Sequence, residues 1–173
     1  MADFLGLRKH FNTRLYEFIL SRAEQLHVDL DFWKFMNYGY EPSDPVRRPD
    51  LDAADEADRV CIQLYQHLVE TESMVGKSVI EISCGRGGGA SYAMRYLKPA
   101  RHVGLDLSAN NIAFCQRRYD HEGLEFVVGD ADEIPYGENE FDIAVNIEAS
   151  NGYDSVPKFF EQVYRVLKPG GHL

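Results

Sequence analysis

The stretch Val79 to Ala93 reads V-I-E-I-S-C-G-R-G-G-G-A-S-Y-A: a short apolar run, an acid near its end, a glycine cluster, then small residues. That order predicts a strand over Val79 to Ile82, a tight turn, and a helix over Ala90 to Leu97, with backbone amides exposed at the bend. Glu81 stands where the strand runs out. A carboxylate beside exposed amides suits a ligand with a cationic head and a nucleoside tail.

The glycines alone do not choose that ligand. Gly85, Gly87 and Ala90 also satisfy the G-x-G-x-x-G/A fingerprint of dinucleotide-binding domains. Electrostatics separates the two readings. A dinucleotide puts its pyrophosphate on the glycine turn, where Glu81 would repel it. S-adenosylmethionine carries a sulfonium and an ammonium, which the same carboxylate stabilises directly or through water. S-adenosylmethionine is therefore the expected cofactor, held first by the loop Glu81 to Gly89, with Ser83, Gly85 and Gly87 in it.

Downstream, strands and helices alternate. His102 to Leu107, Leu124 to Val128 and Phe141 to Ile147 read as strands; Ala109 to Tyr119 and Val156 to Leu167 read as helices. Ser108 is placed as an N-cap, Pro157 falls in the last helix's first turn, and Lys168-Pro-Gly-Gly stops that helix. Single helices between strands imply right-handed crossovers, hence an α/β fold: a Rossmann-like parallel sheet with helices on both faces. Ligands of such sheets bind at the carboxyl ends of the strands. Those ends carry polar residues in series: Glu81, Asp106, Asp130, then Asn146 with Glu148. Asp106, roughly 20 residues past the glycine turn, suits both ribose hydroxyls. Leu107 can pack on the adenine face, Asp130 can accept from the exocyclic amine, and the Ala131 amide can donate to a ring nitrogen. Any one acid at a strand end is unremarkable. Four in register around one glycine turn point to a site.

Taken together, E-I-S-C-G-R-G-G-G, G-L-D-L-S, G-D-A-D-E-I-P-Y, E-F-D-I-A-V-N-I-E-A-S and V-L-K-P-G-G resemble successive motifs of the class I S-adenosylmethionine-dependent methyltransferases, from about Val79 onward. More closely, S-C-G-R-G-G-G-A-S-Y, N-Y-G-Y-E, A-D-E-A-D-R and N-I-E-A-S are similar to the phthiotriolone and phenolphthiotriolone dimycocerosate methyltransferases. That resemblance implies methylation of a hydroxyl on a long lipid, polyketide or related natural product. Two departures stand out. Ser83 replaces the usual first glycine of the turn, and Gly170-Gly171-His172-Leu173 falls where a fifth strand should begin. The expectation is a chain truncated at its C-terminus, with four strands and an unpaired edge beside the fourth. Such an edge favours self-association into a homo-oligomer.

Residues 1–77 read as an N-terminal helical extension with an aromatic lid segment, and 78–173 as the cofactor-binding domain. Phe4, Leu7, Phe11, Leu15, Phe18, Ile19 and Leu26 recur at helical spacing, and packing against the domain is the simplest expectation for that face. The tract D-F-W-K-F-M-N-Y-G-Y, Asp31 to Tyr40, follows. In the resembling families an aromatic motif before the cofactor domain helps to close over the ligand, so Tyr38 joins the expected cofactor contacts; core packing explains it equally well. Asp50 to about Met74 reads as a further helix, with Val60, Leu64 and Leu68 as its apolar stripe.

With 173 residues, 45% hydrophobic and 12% aromatic, the chain can bury a real core. A net charge of −10 argues against nucleic acid and anionic membranes as partners. Three widely spaced cysteines without a C-x-x-C suggest a reduced, cytoplasmic setting and no metal site. No apolar run is long enough to span a bilayer. The expected partner is a small hydrophobic acceptor molecule. None of the six histidines sits in a motif that marks a catalytic base. An NAD(P)-dependent oxidoreductase on the same sheet is the second reading; a non-catalytic, cofactor-binding interaction module is the third.

Overall fold

A computed structural model describes residues 15, 17–23, 25–44, 48–69 and 71–173. Phe4, Leu7 and Phe11 of the first expected helix lie outside the described residues. Within that helix, Leu15, Phe18 and Ile19 are exposed rather than packed on the domain, as is Leu26 beyond it.

The next helix is shorter than its sequence suggested. A 3₁₀ turn, Ala53–Asp58, leads into α1, Arg59–Leu68, and the chain leaves helical geometry after Leu68. The stripe is also rotated: Val60 and Leu68 are exposed, while Ile62, Gln63 and Tyr65 are buried. A buried glutamine and tyrosine hide this face from a purely hydrophobic pattern.

From Ser78 the chain alternates as expected: β1 (Ser78–Ile82), α2 (Gly88–Tyr92), β2 (Arg101–Asp106), α3 (Ala109–Arg118), β3 (Leu124–Val128), β4 (Phe141–Val145), α4 (Val156–Val166) and β5 (Leu167–His172). A single π turn, Ala93–Leu97, widens the end of α2. Ser108 caps α3 through the Asn111 amide at 3.3 Å. Ser155 caps α4 through the Lys158 amide, with Pro157 in the first turn. The sheet is parallel in the order β3-β2-β1-β4-β5.

β5 corrects the four-strand expectation. Phe141 pairs with Leu167 and Ile143 with His172, with an irregularity between the two. Lys168-Pro-Gly-Gly does end α4, but the same residues run on as an irregular edge strand. Pro169 has no N–H to give a ladder, which an edge tolerates, and Gly170 adopts φ +80°.

Strand parity sorts the core. Ile80 and Ile82 meet Phe159, Val163 and Val166 of α4. Val79 lies on the other face with Met74 and Ala93, and a third cluster joins Ala90 of α2 to Ile112 and Cys115 of α3 and Phe126 of β3. Helices therefore cover both faces. The crossover to either side of β1 makes the gap above its carboxyl end the natural ligand site.

Candidate cofactor site

The turn after β1 is held in unusual backbone geometry. Ser83, Gly85 and Gly87 all have positive φ, at 63°, 56° and 74°. The glycines meet that demand without a Cβ; Ser83 meets it under strain. Gly85 donates its amide to Asp106 Oδ2 at 2.8 Å, so the end of β2 is tied directly to the turn. The other carboxylate oxygen accepts from the Ser108 amide at 2.9 Å and Asn111 Nδ2 at 3.3 Å. Burial pushes the Asp106 carboxyl above the usual aspartate range, opposed by the amide hydrogen bonds.

These groups face a cleft of about 210 Å³ at the carboxyl ends of the strands. Of the expected cofactor contacts, Ser83, Gly85, Asp106, Leu107 and Ala131 line it. The structure adds lining residues with no advance signal in the pattern. Met36 comes from the aromatic segment, Asn111 from α3, and Tyr153 from the loop after β4. Glu148, in the loop after β4, also lines the cleft; its φ is +52° and its carboxylate accepts the Tyr38 amide at 2.8 Å.

The other five candidates fall elsewhere. Glu81 shares the face of Val79, so parity turns it toward α1: it is 2% exposed, accepts from Tyr65 Oη at 2.7 Å and lies 3.3 Å from His102 Nε2. Both of its carboxylate oxygens thus have partners within the fold. Gly87 is not in the cleft wall; a Cβ there would lie 2.8 Å from Cys115 Sγ and 2.9 Å from Phe126 Cζ, so packing requires the glycine. Asp130 takes the Asp132 amide at 2.8 Å in a local turn. Asn146 reaches the cleft only through a partner: it donates to Ile82 O at 2.9 Å and to Tyr153 Oη at 2.6 Å. The Tyr38 side chain is 95% exposed, and only its backbone engages the site.

The donor set fits an adenosyl ligand. Asp106 Oδ2, with one amide partner, keeps lone-pair capacity for a ligand, and Leu107 and Ala131 supply apolar surface beside it. Among the described residues, no cluster of three His, Cys, Asp or Glu is arranged to hold a metal ion. No helix among them is long and apolar enough to cross a membrane.

A doubly wound parallel sheet with a glycine turn and a buried carboxylate over its switch point has the layout of a Rossmann-like nucleoside-binding domain. The chain belongs to the methyltransferase domain family, which matches residues 80–173. It is 48% identical over 139 residues to the phthiotriol/phenolphthiotriol dimycocerosates methyltransferase of Mycobacterium leprae (strain TN), covering 80% of this chain and 51% of that protein. It is 46% identical over 138 residues to the fatty-acid O-methyltransferase of Mycolicibacterium smegmatis (strain ATCC 700084 / mc(2)155), covering 80% and 50%. The chain thus spans about half the length of these curated relatives. Among solved structures, geranyl diphosphate methyltransferase in complex with SAM shares the fold, with a TM-score of 0.65 at 23% identity over 80% of this chain and 60% of that one.

Proposed function

We propose that this chain is the cofactor-binding part of an S-adenosylmethionine-dependent methyltransferase that methylates a hydroxyl or carboxyl oxygen on a hydrophobic lipid-like acceptor. The observation that carries the cofactor is the Asp106 carboxylate, bonded to the glycine-turn amide and lining the cleft. Asp106 would hold the ribose hydroxyls, Leu107 and Ala131 the adenine, and the turn at Ser83 and Gly85 the methionyl end. When bound, the cofactor supplies an electrophilic methyl group on a sulfonium. The chain's own part is to orient that group and keep water from it.

A second cavity of about 370 Å³ supports the hydrophobic acceptor. Leu68, Val69, Ile143, Phe159 and Phe160 line it, with Thr71, Glu72, Asn146, Ser150 and His172 as polar members. Asn146 thereby joins it to Tyr153 of the cofactor cleft at 2.6 Å. An apolar chain in this cavity would bring its polar end toward the strand ends where the methyl group is offered. The names of the two curated relatives, both lipid methyltransferases, favour the same substrate class. Three free cysteines agree with a reduced, cytoplasmic setting.

The test is calorimetric titration with S-adenosylhomocysteine and with NAD, then transfer of labelled methyl from S-adenosylmethionine to a long-chain fatty acid and to a hydroxylated lipid. Binding of the homocysteine compound with labelling of either lipid is expected. Preference for NAD would overturn the assignment.

A further inference from the structure

A hydrogen-bonded relay crosses the floor of the cleft between the ends of β1 and β4. Asn146 spends one amide proton on Ile82 O at 2.9 Å and the other on Tyr153 Oη at 2.6 Å. Tyr153 Oη lies 2.8 Å from Ser83 Oγ. Proton counts fix the direction of the Asn146 bonds, while either hydroxyl can donate between Ser83 and Tyr153. Asn146 has no third amide proton, so its side-chain oxygen is the group left to accept. Tyr153 Oη accepts from Asn146, which leaves its own proton to donate. When that proton goes to Ser83 Oγ, the serine hydroxyl is free to donate onward. Burial pushes the tyrosine up to about 12, so it keeps this proton at neutral pH. The ring is fixed by Phe159, 5.0 Å away between centroids.

The relay therefore presents one directed group to the cleft beside the glycine turn, the hydroxyl donor of Ser83. The methionyl end of an adenosyl cofactor is a zwitterion, a carboxylate that needs donors and an ammonium that needs acceptors. We propose that Tyr153 is a positioning residue, which sets the Ser83 hydroxyl as donor to the carboxylate at the amino-carboxylate end of the cofactor. The inference rests on the cofactor assignment above. It also explains why serine persists at a positive φ of 63°, a position where glycine would be less strained: the relay uses the hydroxyl.

A pair of ligands separates this role from plain packing. S-adenosylhomocysteine has the amino-carboxylate end; 5′-methylthioadenosine has the same adenosine without it. Both would be titrated calorimetrically into this chain and into its Tyr153→Phe variant, which keeps the ring and loses the hydroxyl. The expected result is about a tenfold loss of affinity for S-adenosylhomocysteine, with 5′-methylthioadenosine unchanged within about twofold. Ser83→Ala should give the same selective loss, and serves if Tyr153→Phe fails to fold. Equal weakening of both ligands would make Tyr153 a packing residue and overturn the proposal, as would no loss for either. If the unmodified chain binds neither ligand, the cofactor assignment itself fails and the proposal with it.

Discussion

At Asp106 the carboxylate serves the backbone and, in the proposed function, a ligand too. Because burial raises its pKa above the unperturbed 3.8, the ionised form is held against a desolvation cost. Protonation removes an acceptor from the ribose, so affinity should fall as the pH drops through this raised value. Calorimetry with S-adenosylhomocysteine should show the loss beginning above pH 3.8, the ordinary aspartate value. Asp106→Ala should lose about 1–3 kcal/mol of binding at neutral pH and flatten that dependence. A variant that binds normally would move the ribose elsewhere. Gly87 illustrates the opposite case, a residue near the site whose constraint is internal. Gly87→Val forces a branched side chain onto a φ of 74° and into Cys115 and Phe126. The expected cost is roughly 3 kcal/mol or more of stability, visible by thermal unfolding without any ligand. A variant that unfolds at the normal temperature yet fails to bind would restore the ligand-contact explanation.

Among the elements, the segment before α1 is tied to α2 by one ion pair. Asp55 accepts from Arg95 Nη1 at 2.6 Å and Nη2 at 2.8 Å, and from Tyr96 Oη at 2.7 Å. The Arg95 hydrogen bonds hold the Asp55 carboxyl below the usual range, against its burial. A depressed acid adds stability that is fully present above the unfolded value of 3.8 and is lost as pH falls through the lower folded value. Asp55→Asn should therefore reduce the melting temperature at neutral pH and shrink the gap between the variants in strong acid. The neutral-pH cost should be about 1–2 kcal/mol, reduced because Arg95 is a third exposed. A constant gap down to acid pH would show that the pair contributes no linked protonation. The sequence offered no signal for this contact, which joins residues 40 apart.

Across the whole molecule, protection should follow strand order. β1 lies between β2 and β4, whereas β3 and β5 form the edges. Amides of Val79 to Ile82 should exchange slowest in native-state hydrogen exchange, and those of Leu167–His172 faster by orders of magnitude, because the edge ladder is irregular and exposed. Equal protection at β1 and β5 would contradict this sheet order. The fatty acceptor reading also belongs at this scale. It depends on two cavities linked through the Asn146–Tyr153 hydrogen bond, an arrangement that neither strand nor helix supplies alone.

The alternation of strands and helices from Ser78 onward was legible because it rests on local periodicity, capping and glycine placement: Ser108, Ser155 and the turn from Ser83 to Gly87 act within a few residues of themselves. Asp106 was legible for the same reason, since a strand's end and its distance from the glycine turn are properties of the chain. What tertiary structure decided was the direction and company of each side chain. The fate of Glu81 depends on which sheet face α1 covers, and Tyr65 and His102 reach it from 16 and 21 residues away. β5 emerges from a helix-stopping tetrapeptide because β4 offers it an edge to pair with. The Ser83–Tyr153–Asn146 relay joins positions up to 70 residues apart, and only the folded sheet makes them neighbours.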